Sequence, residues 1–221
     1  MRGKGMPTAA ALLLVFLYVT FPSSVSAATP AATKPASAVT PTEQVRASVN
    51  NIVAILKNPS LKADSRKKDR REQLRRAIFS RFDFPEMAMR SMGSYWRKLS
   101  PKEQDEFVQL FTDLLERAYI DQIESYSDQK FVYTKETVDE DYAEVQSKLV
   151  SSKTGEEFSI NYRVRLVGKE WKVYDVVIEN ISLVNNYRSQ FNRVIANQSY
   201  EELIRRMRDK QIPSPVEKKQ G

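Results

Sequence analysis

A strand that passes into an amphipathic helix within Trp171 to Phe191, WKVYDVVIENISLVNNYRSQF, constrains this chain more than any other feature. The first half alternates and is rich in Val, Ile, Tyr and Trp, the pattern of a strand. In the second half apolar residues fall at Ile181, Val184, Tyr187, Phe191, Val194 and Ile195, mostly at the steps of three and four that a helix gathers on one face. Neither Gly nor Pro separates the halves, so the strand is expected to run directly into the helix. Such a junction holds a helix across the end of a sheet, and the wedge between them is a natural place for an apolar pocket.

The segments before it supply the sheet and more helices. Thr40-Pro41-Thr42-Glu43 is a capping box with Pro at the first helical position, and Val45, Val49, Ile52, Val53 and Leu56 form the face of the helix that follows. Asn58-Pro59 ends it. A second helix runs from about Asp64 to Ser80 with a thin apolar stripe of Leu74, Ala77 and Ile78. Asp83-Phe84-Pro85-Glu86 opens a short helix that closes near Gly93. A second capping box at Ser100-Pro101-Lys102-Glu103 begins the strongest helix, whose face holds Phe107, Leu110, Phe111, Leu114, Leu115, Tyr119 and Ile123. A third, at Ser199-Tyr200-Glu201-Glu202, opens the last helix.

From Phe131 the period becomes two, predicting strands at 131–138, 142–151, 157–167 and 171–179 joined by short loops at 139–141, 152–155 and 168–169. This is an antiparallel meander, and the fold class is α+β: a curved four-stranded sheet packed with N-terminal and C-terminal helices around an apolar pocket. The 152–155 loop sets the register of Leu149 with Phe158, Val145 with Tyr162 and Ala143 with Val164. The Gly168-Lys169 turn pairs Val164 with Val173 and Ile160 with Val177. On the last strand Tyr174, Val176 and Ile178 make the opposite face apolar as well, so it is open to cover from both sides.

The N-terminus reads as a secretory signal peptide, residues 1–27: Arg2 and Lys4, an apolar run from Ala9 to Phe21, and the small-residue pattern Val25-Ser26-Ala27. An Ala/Thr/Pro/Ser-rich stretch follows as a disordered linker, residues 28–39. The folded domain is 40–212, and 213–221 is a flexible basic tail. Removal of Arg2 and Lys4 from the 35 basic residues, against 28 acidic ones, lowers the net charge from +7 to +5.

The 221 residues contain no Cys and no His. An exported chain of this kind has no disulfide and relies on its core alone. Without imidazole or thiolate, Ser-His-Asp and Cys-His hydrolases and almost all zinc enzymes are excluded. Asp175 and Glu179 share one strand face, but the sequence places no further acid, base or nucleophile with them. Asp139-Glu140-Asp141 lacks the spaced ligands of a calcium loop and reads as a solvated turn. No catalytic residue, metal site or cofactor is assigned, and the chain is not read as an enzyme. The second helix carries Arg66, Lys67, Arg70, Arg71, Arg75 and Arg76. Nucleic acid does not fit an exported protein; docking to an anionic membrane face or an acidic partner and a simply solvated face both remain open.

Three motifs resemble one family over roughly Thr40 to Gln211. They are Trp96-x-x-Leu99-Ser100-x-x-x-Gln104-x-x-Phe107-x-x-x-Phe111-x-x-Leu114-Leu115 with Tyr119 and Tyr126 beyond; Trp171-x-x-Tyr174-Asp175-Val176 followed by Ile181-Ser182-Leu183-Val184; and Asn186-Tyr187-Arg188-Ser189-Gln190-Phe191. The chain is similar to the MlaC, or toluene-tolerance, family of periplasmic phospholipid-binding proteins. It departs at Asn180, where the family usually has Gly, although Asn also tolerates a left-handed backbone.

The resemblance implies a soluble, monomeric carrier in the periplasm with phospholipid as cargo. Its partners would be an outer-membrane lipoprotein complex and an inner-membrane ABC transporter with an MCE-domain subunit, and its role the upkeep of outer-membrane lipid asymmetry. A hopanoid-type or other apolar cargo, or an exported interaction module built on the basic helix, is the alternative. The lipid-binding residues expected are Phe111, Leu115 and Tyr119 on the strong helix, and Val145, Leu149, Phe158, Ile160, Tyr162 and Val164 on the middle strands. Val173, Val177, Ile181 and Val184 are expected on the strand-to-helix segment, with Tyr187 and Arg188 at the mouth.

Overall fold

The computed structural model describes residues 39–213; the expected signal peptide, nearly all of the linker and the tail beyond 213 lie outside the described residues. Among the described residues no helix is long and apolar enough to cross a membrane. Helix α1 spans Pro41–Lys57, α2 Lys67–Phe79, α3 Phe84–Met92 and α4 Pro101–Glu124. Strands β1 (Lys130–Asp139), β2 (Tyr142–Val150), β3 (Glu157–Val167), β4 (Glu170–Ile178) and β5 (Ile181–Ser182) follow, then helices α5 (Leu183–Asn197) and α6 (Tyr200–Arg208).

The helix starts are where side-chain chemistry puts them. Thr40 and Ser100 each accept the backbone N–H three residues on, and Glu43 and Glu103 each reach back to the capping residue's own N–H. Ser199 also caps its helix, but the box is not reciprocal: the Glu202 carboxylate is taken by Arg205 and Arg206. Asp83 caps α3, and Gly93 ends it at φ 58°.

The sheet is an antiparallel meander in the order β1-β2-β3-β4-β5. Leu149 faces Phe158, Val145 faces Tyr162 and Ala143 faces Val164, as the loop length requires. Asp139 pairs with Tyr142, so the first turn holds two residues rather than three.

The register at β4 departs from expectation. Val164 faces Val173, but Arg163 faces Asp175, which leaves Tyr174 as an extra residue in a bulge. Ile160 therefore pairs with Ile178 and not with Val177. The bulge also turns Val176 and Ile178 to the same side as Val173. The two apolar runs of β4 are thus one face interrupted by a kink.

The strand does not run straight into the helix either. Glu179 and Asn180, at φ 48° and 64°, form a tight turn, and Ile181 pairs back onto Ile178 as part of the two-residue β5. Ser182 then caps α5.

Two cores result. One joins α3, α4, α5 and α6 around Phe107, Phe111, Tyr187 and Phe191, whose rings meet at centroid distances of 5.5 to 6.0 Å. The other lies between α1 and the sheet, around Val45, Val145, Val164 and Trp171.

Candidate functional site: an apolar cavity between two cores

Between the two cores the molecule is hollow. A cavity of about 400 Å³ falls within the size range of small-molecule pockets. The sheet forms its floor through Leu149, Ile160, Tyr162, Val173, Val176 and Ile178. Helix α1 covers it with Val49, Ile52, Val53 and Leu56; α2 adds Ile78 and Phe79; α4 adds Leu115, Tyr119, Ile120 and Ile123. Phe84 and Met87 of α3 close the side toward the aromatic core.

Each of these elements turns its hydrocarbon inward for a local reason. Val45 and Val49 are buried, one helical turn apart, and fix the rotation of α1; Ile52, Val53 and Leu56 then lie on the same face, over empty space. The bulge at Tyr174 brings Val176 and Ile178 onto the floor. The thin stripe of α2 is enough because part of its inward side meets the cavity rather than a packed neighbour.

Of the fifteen residues that the sequence reading assigns to lipid, the cavity gathers Leu115, Tyr119, Leu149, Ile160, Tyr162 and Val173. Val145 and Val164 are buried in the core between α1 and the sheet. Phe111, Val184 and Tyr187 belong to the aromatic core, so the wedge beside α5 is filled and not hollow. Val177 sits on the opposite face of β4 because of the bulge. Phe158 and Ile181 are 47% and 40% exposed, beyond the cavity. The Arg188 Nε donates to the Arg90 carbonyl at 2.7 Å, and its stem packs over Gly93.

The sequence reading missed the contribution of α1, although it found the face, because nothing in a periodic stripe tells contact with a sheet from contact with a void. The same holds for Ile78 and Phe79.

The charged groups that border the cavity, Arg75, Arg81 and Glu116, are engaged by protein. The Arg81 guanidinium donates to Ser48 Oγ and Gln44 Oε1 at 2.7 Å each and to the Trp171 carbonyl at 3.0 Å, tying α1 to β4. Burial pushes the Tyr133 phenol, beneath α1, up to about 12, against a smaller opposing pull from Arg46. Burial drives Tyr162 well above its ordinary value as well, so both phenols stay neutral.

Asp175, 3% exposed, accepts from the Ser182 hydroxyl at 2.6 Å, the Val184 N–H at 3.1 Å and Arg163 at 3.2 Å. It holds the start of α5, where a carboxylate is favoured by the unpaired N–H groups. The Glu179 carboxylate accepts from the Ser159 N–H. Among the described residues no group of His, Cys, Asp and Glu is arranged to hold a metal ion.

The basic face of α2 is committed internally. Arg70 and Arg71 both bind Glu124, Arg71 also binds Asp121, and Arg75 binds Glu116, all on α4. Arg66 and Arg76 pair within their own segment with Asp69 and Glu72. Lys67 opens α2 on its exposed side.

A curved antiparallel sheet with one face turned to a hydrocarbon-lined hollow and roofed by helices defines a class of α+β proteins with an apolar internal cavity. Residues 46–209 match the family described as MlaC protein, well over half of the chain. The chain belongs to the MlaC family.

It is similar to the intermembrane phospholipid transport system binding protein MlaC of Haemophilus influenzae, with 25% identity over 120 residues, 52% of this chain and 56% of that protein. The match therefore spans about half the length of that curated relative. The phospholipid-binding protein of Ralstonia solanacearum, solved in complex with a phospholipid, superposes with a TM-score of 0.67 at 25% identity, covering 76% of this chain and 94% of that one.

Proposed function

We propose that this chain is a carrier that encloses phospholipid acyl chains in the cavity between the sheet and α1, α2 and α4, without covalent chemistry. The observation that carries this reading is the lining itself: nearly all hydrocarbon, contributed by elements of both cores. Each methylene removed from water contributes about 0.8 kcal/mol, so a chain of about fifteen is worth roughly 12 kcal/mol gross. Only enclosure can hold such a chain in solution, and only an enclosure without fixed polar demands tolerates different chains. The names of the Haemophilus and Ralstonia relatives support phospholipid as the cargo.

In this reading residues 40–212 form the lipid-binding domain, exported behind the signal peptide of residues 1–27 and the linker 28–39, with 213–221 as a tail. The protein works in the periplasm as a monomer. It shuttles lipid between an outer-membrane lipoprotein complex and an inner-membrane ABC transporter with an MCE-domain subunit, and so maintains lipid asymmetry. Leu115, Tyr119, Leu149, Ile160, Tyr162 and Val173 touch the acyl chains, joined by Ile52, Val53, Leu56, Ile78 and Phe79. The arginines of α2 act within the fold rather than as a docking face.

The test is extraction of protein purified without added ligand, followed by mass spectrometry. Phospholipid in near-stoichiometric amount is expected. Empty, well-folded protein that acquires nothing from phospholipid vesicles overturns the reading.

A further inference from the structure

The carrier reading leaves one conspicuous feature of the sequence unexplained, the run of arginines on α2. Helices α2 and α4 border the cavity together, α2 through Arg75, Ile78 and Phe79, α4 through Leu115, Glu116 and Ile123. Their backbones barely approach one another. What spans the gap is a line of ion pairs. Arg75 Nε reaches Glu116 Oε2 at 3.0 Å. Arg70 reaches Glu124 Oε1 through Nε at 3.1 Å and Nη2 at 3.0 Å. Arg71 reaches Glu124 Oε2 through Nε at 3.0 Å and Nη2 at 2.8 Å, and it also holds Asp121. One carboxylate, its side chain only 9% exposed, is thus shared by two guanidiniums. The Arg75 guanidinium also stacks on the Phe79 ring at 4.5 Å, so a seam residue is part of the cavity wall.

The other walls are held differently. The floor is a continuous hydrogen-bonded sheet, which opens only by losing its ladder. The first half of α1 is pinned by buried Val45 and Val49 and by the bonds of Gln44 and Ser48 to Arg81. Of the ion pairs across the α2–α4 wall, Arg75–Glu116 and Arg71–Asp121 are partly exposed, so water replaces their partners at little net cost and salt screens them, whereas the shared, nearly buried Glu124 anchors the far end of the seam. Parting this seam breaks no strand ladder, and the seam borders the cavity directly.

We propose that the α2–α4 seam is the lateral gate through which lipid enters and leaves the cavity, with Arg70, Arg71 and Arg75 as positioning residues that close it on Glu116, Asp121 and Glu124. The proposal rests on the carrier reading.

The chain has no cysteine, so Arg75→Cys with Glu116→Cys supplies the only two thiols. A short bis-maleimide then straps α2 to α4. The readout is uptake of a fluorescent-tailed phosphatidylglycerol from vesicles of phosphatidylglycerol and phosphatidylcholine. The strapped protein is expected to load slower by about tenfold or more than the same variant with each thiol capped singly, as for other gated sites. Protein strapped after loading keeps its lipid. The Glu116→Gln/Asp121→Asn variant, which needs no reagent, exchanges lipid about threefold to tenfold faster, the worth of one or two partly exposed ion pairs. It also loses the acceleration that NaCl produces in the wild type. If the wild type loads and both the strap and the charge-removing substitutions leave its rate unchanged, the gate is overturned while the carrier reading stands. If the wild type takes up no lipid at all, both fall.

Discussion

Glu179 and Asn180 both occupy the left-handed backbone region. Their turn folds Ile181 back onto Ile178 and so decides where α5 begins. Asn is tolerated at the second position because a short polar side chain of this type can bond locally, whereas a side chain without that option pays the steric penalty of the left-handed region. Asn180→Ala is therefore expected to destabilise the protein by about 1 kcal/mol, read as a lower urea midpoint, while Asn180→Gly leaves the midpoint unchanged or raises it. The sequence reveals that Asn180 can take this conformation. It does not reveal that Tyr174 bulges, because a bulge needs no special residue type and is set by what each strand must face. That one extra residue removes Val177 from the cavity floor and brings in Val176 and Ile178.

Among the elements, the helices were legible in the sequence because caps and stripes are local. Thr40, Ser100 and Asp83 start α1, α4 and α3 where their hydrogen bonds predict. The relation of α2 to α4 was not legible, since ion pairs such as Arg70–Glu124 join residues far apart in the chain. Burial pushes the Glu124 carboxyl up, but the bonds from Arg71 and Arg70 outweigh it and hold it below its ordinary 4.5. A lowered value means that the ionised form supports the fold. The contribution is complete above the ordinary value and is lost as pH falls through the lower, folded one. The melting temperature of the wild type is expected to drop as pH is lowered below about 4.5, and that drop is expected to be smaller in Glu124→Gln. An equal acid sensitivity in both proteins removes Glu124 from the account.

For the whole molecule, the division into two cores with a hollow between them predicts that two large aliphatic or aromatic positions behave in opposite ways. Ile160 faces the cavity, so Ile160→Trp fills space instead of overpacking a core. It is expected to keep the circular dichroism spectrum and stability near wild type and to remove most of the co-purifying lipid. Phe111 is fully buried among Phe107, Tyr187 and Phe191. Phe111→Ala is expected to cost about 3–5 kcal/mol of stability while the lipid carried per folded molecule stays the same. Loss of lipid in the second variant and not in the first places the cargo beside α5, where the sequence pattern first suggests a pocket.

The sequence by itself determined the order of the elements, the meander and most of its register, because periodicity, caps and loop lengths act over a few residues, and its motifs carried the resemblance to the MlaC family. Only the tertiary structure decided which apolar faces meet each other and which meet a void. A stripe such as Val184, Tyr187 and Phe191 and one such as Ile52, Val53 and Leu56 look alike along the chain. The hydrophobic effect drives both away from water with the same strength, and whether a neighbour or a cavity receives them depends on how far apart the helices are held.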